Sequence, residues 1–304
     1  MGFHLKVVGD IDFLYASTAF WASNYISRWV LILASGVESR GIAKLHPGGV
    51  IELTTSHTGI WSFTPGTYVY LHIAKWSKGW RLKPFYITEA PEQFDAGKIK
   101  AIASVEGFIT DSACNYLRRH PHAYAQVKVV LEGPYGMHWP LYQYDTNVII
   151  CGGLGVSAGY GYAMSLRHSR ASKVIFVWLI SDEWPLNWFN EQLALLADSP
   201  NCEVHIYVND FYDGLSTRNS HEKTITGSIA SLYPTFQSVP LQLSYERPNL
   251  RWVVFQNTMK SEANVAFLTC APESVCRDVR SAIGDNIDNY RSVIDYYEED
   301  FDLH

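Results

Sequence analysis

Residues 148–159 read VIICGGLGVSAG. An apolar run ends at Cys151, glycines stand at 152, 153 and 155, and a helix-forming stretch opens near Ala158. Glycine lets a backbone turn sharply and approach a pyrophosphate closely, and the N-terminus of the helix that follows offers free N–H groups to anionic oxygen. A glycine pattern alone is weak, and a plain tight turn could also need glycine for packing. The position between a strand and a helix is the context that favours nucleotide-binding ancestry. The candidate cofactor-binding residues here are Gly152, Gly153, Gly155, Val156 and Ser157.

Downstream of this turn the pattern alternates. AGYGYAMSLRHSR (158–170) reads as a helix, KVIFVWLI (173–180) as a strand, LNWFNEQLALLAD (186–198) as a helix and CEVHIYVND (202–210) as a strand. RWVVFQ, ANVAFLTCAP, SVCRDVRSAIGD and a final strand, SVIDYYEED, follow, after a polar and poorly periodic excursion over 211–248. Strands alternating with helices predict a parallel, doubly wound (Rossmann-like) sheet. Upstream the rhythm is different. GGVIELTTSH, WSFTPGTYVYLHIAKW, LKPFYITEA, GKIKAIASVEGF and KVVLEGPYG are short, alternating segments between glycine and proline punctuation. They predict an antiparallel β-barrel of roughly 100 residues. The expected organisation is an N-terminal helical segment over 1–40, a barrel over 41–145 and an α/β domain over 146–304.

Composition sets outer limits. The chain has 304 residues, 47% of them hydrophobic and 18% charged, so it can bury a core and is neither disordered nor fibrous. A net charge of −6 without blocks of like charge argues against a nucleic-acid binder. Five scattered cysteines do not form a disulfide framework and point to reduced thiols in the cytoplasm. The 10 Trp, 19 Tyr and 14 Phe can fill a core or line a pocket for a flat ligand. The start lacks the pattern of a secretory signal. Residues 13–37, FLYASTAFWASNYISRWVLILASGV, are long enough to cross a bilayer, yet Ser17, Thr18, Ser23, Asn24, Ser27 and Arg28 are spread around the helix. A helix lying on a membrane or packed on the protein's own body is the expectation. The histidines at 120 and 122 could face one way only on a strand, and Pro121 argues for a loop, so no metal site is expected.

Several motifs occur in order: PGTYVYLHI (65–73), KPFYIT (83–88), GPYG (133–136), GGLGVS (152–157), FVWLI (176–180), ERPNL (246–250), TCAP (269–272) and YYEEDF (296–301). Together they resemble the cytosolic half of fungal ferric reductases and NADPH oxidases, within the ferredoxin–NADP reductase superfamily. The resemblance covers about residues 40–304. It implies a ferredoxin–NADP reductase-like fold, with FAD on the barrel and NAD(P)H on the parallel sheet. Residues 13–29 also resemble the end of that family's last membrane helix. The multi-helix haem domain that the resemblance places upstream finds no room in this chain.

Carried over by motif, the resemblance puts Lys83 near the flavin phosphates, Phe85 on its ring and Tyr86 beside its reactive nitrogen. Pro84, Thr88, Gly133 and Tyr135 belong to the same implied FAD site, while Cys270 lies by the nicotinamide and Phe301 covers the flavin or nicotinamide ring, which makes Tyr86, Cys270 and Phe301 the implied catalytic residues. Phe85 and Tyr86 equally fit the core of an alternating strand, and Cys270 a buried strand cysteine. Four positions depart from the family pattern. Tyr86 replaces a small hydroxyl, Ala158 a proline, Ser181 an arginine, and Ala271 a glycine whose backbone should pass the nicotinamide. Ser181 is followed by Asp182 and Glu183, which repel a 2′-phosphate and suit a free ribose hydroxyl.

The function expected first is a flavoprotein oxidoreductase passing hydride from NAD(P)H through FAD to a small acceptor. The alternative is the same scaffold emptied of cofactor, with an aromatic cleft catalysing a non-redox cyclisation or isomerisation in specialised metabolism. A third reading is an accessory subunit whose contact with a membrane or partner is 13–37.

Overall fold

The computed structural model of the protein describes residues 11–34, 36, 39–56, 64–73, 84–89, 98–104, 114–167, 169, 172–208, 241–246, 248–259, 264–285 and 293–300. Six strands form the first body: β1 (Ser39–His46), β2 (Val50–Ser56), β3 (Tyr68–Ile73), β4 (Pro84–Glu89), β5 (Lys98–Ser104) and β6 (Tyr124–Tyr135). They close into a barrel in the order β1-β2-β5-β4-β3-β6, and all six neighbouring pairs are antiparallel. Alternation makes the core, since successive side chains of a strand face opposite sides. Ile51, Leu53, Val69, Leu71, Phe85, Ile87, Ile99 and Leu131 point inward and are buried.

The second body is a parallel sheet of β7 (Thr146–Gly152), β8 (Lys173–Ile180), β9 (Cys202–Val208), β10 (Leu241–Ser244), β11 (Val265–Ala271) and β12 (Ile294–Asp300), in the order β10-β9-β8-β7-β11-β12. The order reverses between β7 and β11, and ligands of such sheets bind at the carboxyl end of that switch point. Helices α2 (Val156–Leu166) and α3 (Trp184–Ala197) pack on one face, and α4 (Leu250–Met259) and α5 (Glu273–Gly284) on the other. On α3 the buried Leu186, Phe189, Leu193 and Leu196 recur at helical spacing, each worth about 1.5–3 kcal/mol of burial. The barrel seats on the α2–α3 face. Its Val50 and Ile102 join that core, and Tyr86 packs against it.

Helix α1 (Ile11–Ala34) stands apart. Only Ile32 is buried, while Phe13, Tyr15, Phe20, Trp21, Ile26, Trp29 and Leu33 are exposed. Two of its hydroxyls are satisfied locally, Thr18 Oγ1 donating to Leu14 O at 2.7 Å and Ser27 Oγ to Asn24 O at 2.8 Å. Among the described residues no helix is long and apolar enough to cross a membrane. A polar contact ties α1 to the barrel, the Arg28 guanidinium gripping Glu132 of β6 at 2.7 and 3.0 Å.

One sequence expectation changes, and the structure adds detail to two others. RWVVFQ lies in α4, where Val254 is buried in the core and Val253 packs partly against it. Leu241–Ser244, part of the expected excursion, is strand β10 against β9. The rest of that excursion up to residue 240 lies outside the described residues. Pro121–Ala123 is a single 3-10 turn with His122 in a left-handed conformation, and no group of metal-ligating side chains exists among the described residues. All five cysteines are free and buried.

Candidate functional site

The glycine turn sits at the switch point. Gly152 ends β7, residues 153–155 make one 3-10 turn, and α2 begins at Val156. Each glycine answers to a different constraint. A side chain at Gly155 would run into the carbonyl of Cys270 on β11, and one at Gly152 would lie 2.9 Å from Pro272 Cδ. Gly153 is different: its φ is +52°, and a Cβ there would meet nothing within 4 Å. So two glycines press the turn onto β11 while the third faces open space. Trp178 of β8 fixes the turn from below, its indole Nε1 donating to Gly153 O at 2.9 Å. Val156 and Ser157 are buried, and Ser157 Oγ donates to Leu154 O at 2.8 Å. These two residues therefore contribute backbone at the head of α2, where the Val156 N–H already donates to the carbonyls of Gly153 and Leu154. Ala158 is likewise buried in the core.

Across the interface the outer face of the barrel carries tyrosines. Tyr68 lies 5.5 Å from Tyr86 and 5.8 Å from Tyr135, and Tyr70 lies 5.4 Å from Tyr135, all between ring centroids. The pairing Tyr68↔Tyr86 and Val69↔Phe85 explains which residues face out. Phe85 therefore points into the barrel among Val69, Leu71 and Ile87, and the aromatic on the outer face of β4 is Tyr86. Pro84 is exposed at the strand start. Thr88 is buried, and its Oγ1 has no hydrogen-bond partner. Gly133 allows β6 to approach β3, since a Cβ would lie 2.9 Å from Val69 Cγ1. Tyr135 donates to Glu132 at 3.0 Å. Burial, then this bond, push its hydroxyl up to about 12.

The remaining expected residues divide. Cys270 is fully buried beside Cys151, and that burial raises its thiol well above the ordinary value, so it offers no thiolate to a ligand. Ala271 turns its methyl into the opposite core, packed under α5 rather than toward the cleft. Ser181 and Asp182 are exposed just beyond β8. Lys83 and Phe301 lie outside the described residues.

Sequence reasoning missed a carboxylate. Glu299 of β12 pairs in register with Cys270 and accepts Trp139 Nε1 at 2.9 Å and the Tyr162 hydroxyl at 3.5 Å. Burial raises its pKa despite these bonds. The same Tyr162 hydroxyl donates to Met137 O at 2.9 Å, so α2, β12 and the barrel-to-sheet connection meet at this point. The signal was present in YYEEDF, but the charge there reads equally as a solvated strand end.

These features fit the groups that the resemblance implies. The turn pairs an open left-handed glycine with a helix N-terminus, as an anionic nucleotide requires. The barrel offers a tyrosine face and an orphaned buried hydroxyl at Thr88.

Comparison with known proteins agrees. Residues 39–138 match the FAD-binding domain family and residues 144–283 the ferric reductase NAD binding domain family. A probable ferric reductase transmembrane component of Candida albicans is 24% identical over 98% of this chain and 46% of its own length. The chain thus spans less than half of that curated relative. Among solved structures, the FAD/NAD binding domain of a nitric oxide dioxygenase from Vibrio cholerae superposes with a TM-score of 0.54 at 11% identity, over 86% of this chain and 99% of that one. A mutant ferredoxin–NADP+ reductase from Plasmodium falciparum gives 0.53 at 15% identity, over 86% and 96%.

Proposed function

We propose that this chain, whose residues 39–138 and 144–283 match the FAD-binding domain family and the ferric reductase NAD binding domain family, is an FAD-dependent oxidoreductase drawing on NAD(P)H. The observation that carries this reading is the glycine turn at the switch point, open at Gly153 and backed by β11. Gly152, Gly153, Gly155, Val156 and Ser157 would hold the nucleotide pyrophosphate through backbone, and Pro84, Tyr86, Thr88, Gly133 and Tyr135 would border the flavin. FAD, when bound, supplies two-electron uptake from a nicotinamide and release to a small acceptor, ferric iron being the one the relative's name indicates. The chain's own part is to orient. The tyrosine face fixes where a flat ring can lie, and the contacts at Tyr162, Trp139 and Glu299 fix the two bodies against each other. No observation favours the non-redox alternative.

The test is spectroscopic. The purified full chain incubated with FAD is expected to retain a flavin absorbance through gel filtration, and anaerobic NADH or NADPH to bleach it. A chain that neither binds nor titrates FAD would overturn the proposal.

Helix α1 supports a membrane-associated location, since it leaves Phe13, Phe20, Trp21 and Trp29 exposed. The chain is expected to float with phospholipid vesicles in a density gradient, and the pair Trp21→Glu and Trp29→Glu to reduce the floating fraction at least fivefold. Equal flotation of both proteins would refute the assignment.

A further inference from the structure

We infer that the nucleotide this chain takes is the 2′-hydroxyl form, NADH, and that Asp182 is the residue that distinguishes it from NADPH. The inference rests on the reading of the glycine turn as a nicotinamide nucleotide site, and deepens it.

Strand β8 lies beside β7, with Leu179 in register with Gly152, so residues 181–183 emerge next to the turn at the carboxyl end of the sheet. In a βαβ unit of this kind the segment after the second strand meets the adenosine ribose. What this chain places there is acidic. Asp182 is exposed, and its Oδ1 accepts the backbone N–H of Trp184 at 2.8 Å, which holds the carboxylate at the start of α3. Glu183 follows, fixed by the Tyr245 hydroxyl that donates to its Oε1 at 2.5 Å. Two carboxylates are therefore held in place rather than left to swing away. The sequence has no Lys or Arg from residue 174 through 217, so the carboxyl end of β8 and the residues that follow it to 217 bring no cation to neutralise a phosphate, and Lys173 stands at the opposite end of the strand.

A ribose 2′-hydroxyl can donate to the remaining oxygen of Asp182, a charge-assisted bond stronger than a neutral one. A 2′-phosphate brings acceptors only and up to two negative charges. Beside a carboxylate it gains no bond and is repelled. Ser181 adds a small hydroxyl without charge, which leaves that balance unchanged.

The experiment is calorimetric titration of the full chain with ADP-ribose and with 2′-phospho-ADP-ribose. Both lack the nicotinamide ring, so binding is read without turnover. The wild-type chain is expected to bind ADP-ribose at least tenfold more tightly. Asp182→Asn keeps an acceptor for the Trp184 N–H, so α3 stays capped, while the charge is lost. In that variant the preference is expected to fall to within threefold. Tighter or equal binding of the 2′-phosphorylated compound by the wild type, or an unchanged ratio in Asp182→Asn, would overturn the inference while leaving the site itself in place. Binding of neither compound would overturn the nucleotide-site reading, and this inference with it.

Discussion

Gly155→Ala is expected to cost about 3 kcal/mol of stability and to weaken ADP-ribose binding more than tenfold. The reason is space, not backbone strain. Gly155 has an ordinary right-handed conformation, but an added Cβ would collide with the carbonyl oxygen of Cys270 and lie 2.6 Å from its carbon. Both groups are backbone, so no side-chain rotation relieves the clash, and overpacking of this kind costs about 1–3 kcal/mol or more. Relief requires the turn to lift off β11, which displaces the head of α2. Gly153→Ala is the informative contrast. Nothing lies within 4 Å of its Cβ direction, so the variant bears only the cost of a left-handed residue, about 1–2 kcal/mol. Its methyl would stand in the space the turn leaves open, and its binding loss is expected to exceed what its stability loss explains. Urea unfolding and calorimetric titration of both variants separate the effects. A Gly155→Ala protein as stable as the wild type would show that the turn is not pressed on β11.

The glycine turn was legible in the sequence because its constraint is local: strand, three glycines and helix occur within twelve residues. The barrel and the parallel sheet were legible for a related reason, the switch in hydrophobic period near residue 146. Phase within a strand was not. KPFYIT alternates whichever way it is turned, and a slip of one residue exchanges the two faces of a strand. Only the register with β3, in which Val69 pairs with Phe85 and Tyr68 with Tyr86, puts Phe85 inside and Tyr86 outside. RWVVFQ carries β-branched and aromatic residues that suit a strand, and its helical state follows from packing against α5 and the sheet. Glu299 and Trp139 are 160 positions apart, so no local pattern could pair them. The segment 13–37 stands out in the sequence, but its ion pair to the protein does not, because the partner of Arg28 lies 104 positions on.

That partner gives the second large effect. Glu132→Ala is expected to destabilise the chain by about 2–4 kcal/mol. Glu132 is 1% exposed and accepts bonds from four donor groups: Arg28 Nε at 2.7 Å, Arg28 Nη2 at 3.0 Å, His72 Nε2 at 2.8 Å and the Tyr135 hydroxyl at 3.0 Å. Removing the carboxylate strands these donors at the junction of α1, β3 and β6. Losing one member of a fully buried ion pair costs about 3–5 kcal/mol, and the lower range applies because the Arg28 side chain is 35% exposed. Burial alone would raise the Glu132 pKa, but the bonds from Arg28, His72 and Tyr135 outweigh it and hold it below the ordinary 4.5. A lowered folded-state value means the stabilisation is present above about pH 4.5 and is lost as pH falls from there through the folded value. Urea unfolding at pH 7 and at successively lower pH is therefore expected to show an acid-side loss in the wild type that is smaller in Glu132→Gln, which keeps the shape without the charge. Arg28→Met should cost less than Glu132→Ala, because His72 and Tyr135 still hold the carboxylate. The double variant should cost less than the sum of the two, since the residues share one contact. Strict additivity, or an acid limb unchanged in Glu132→Gln, would mean that α1 is held to the barrel by its apolar contact at Ile32 and not by this carboxylate.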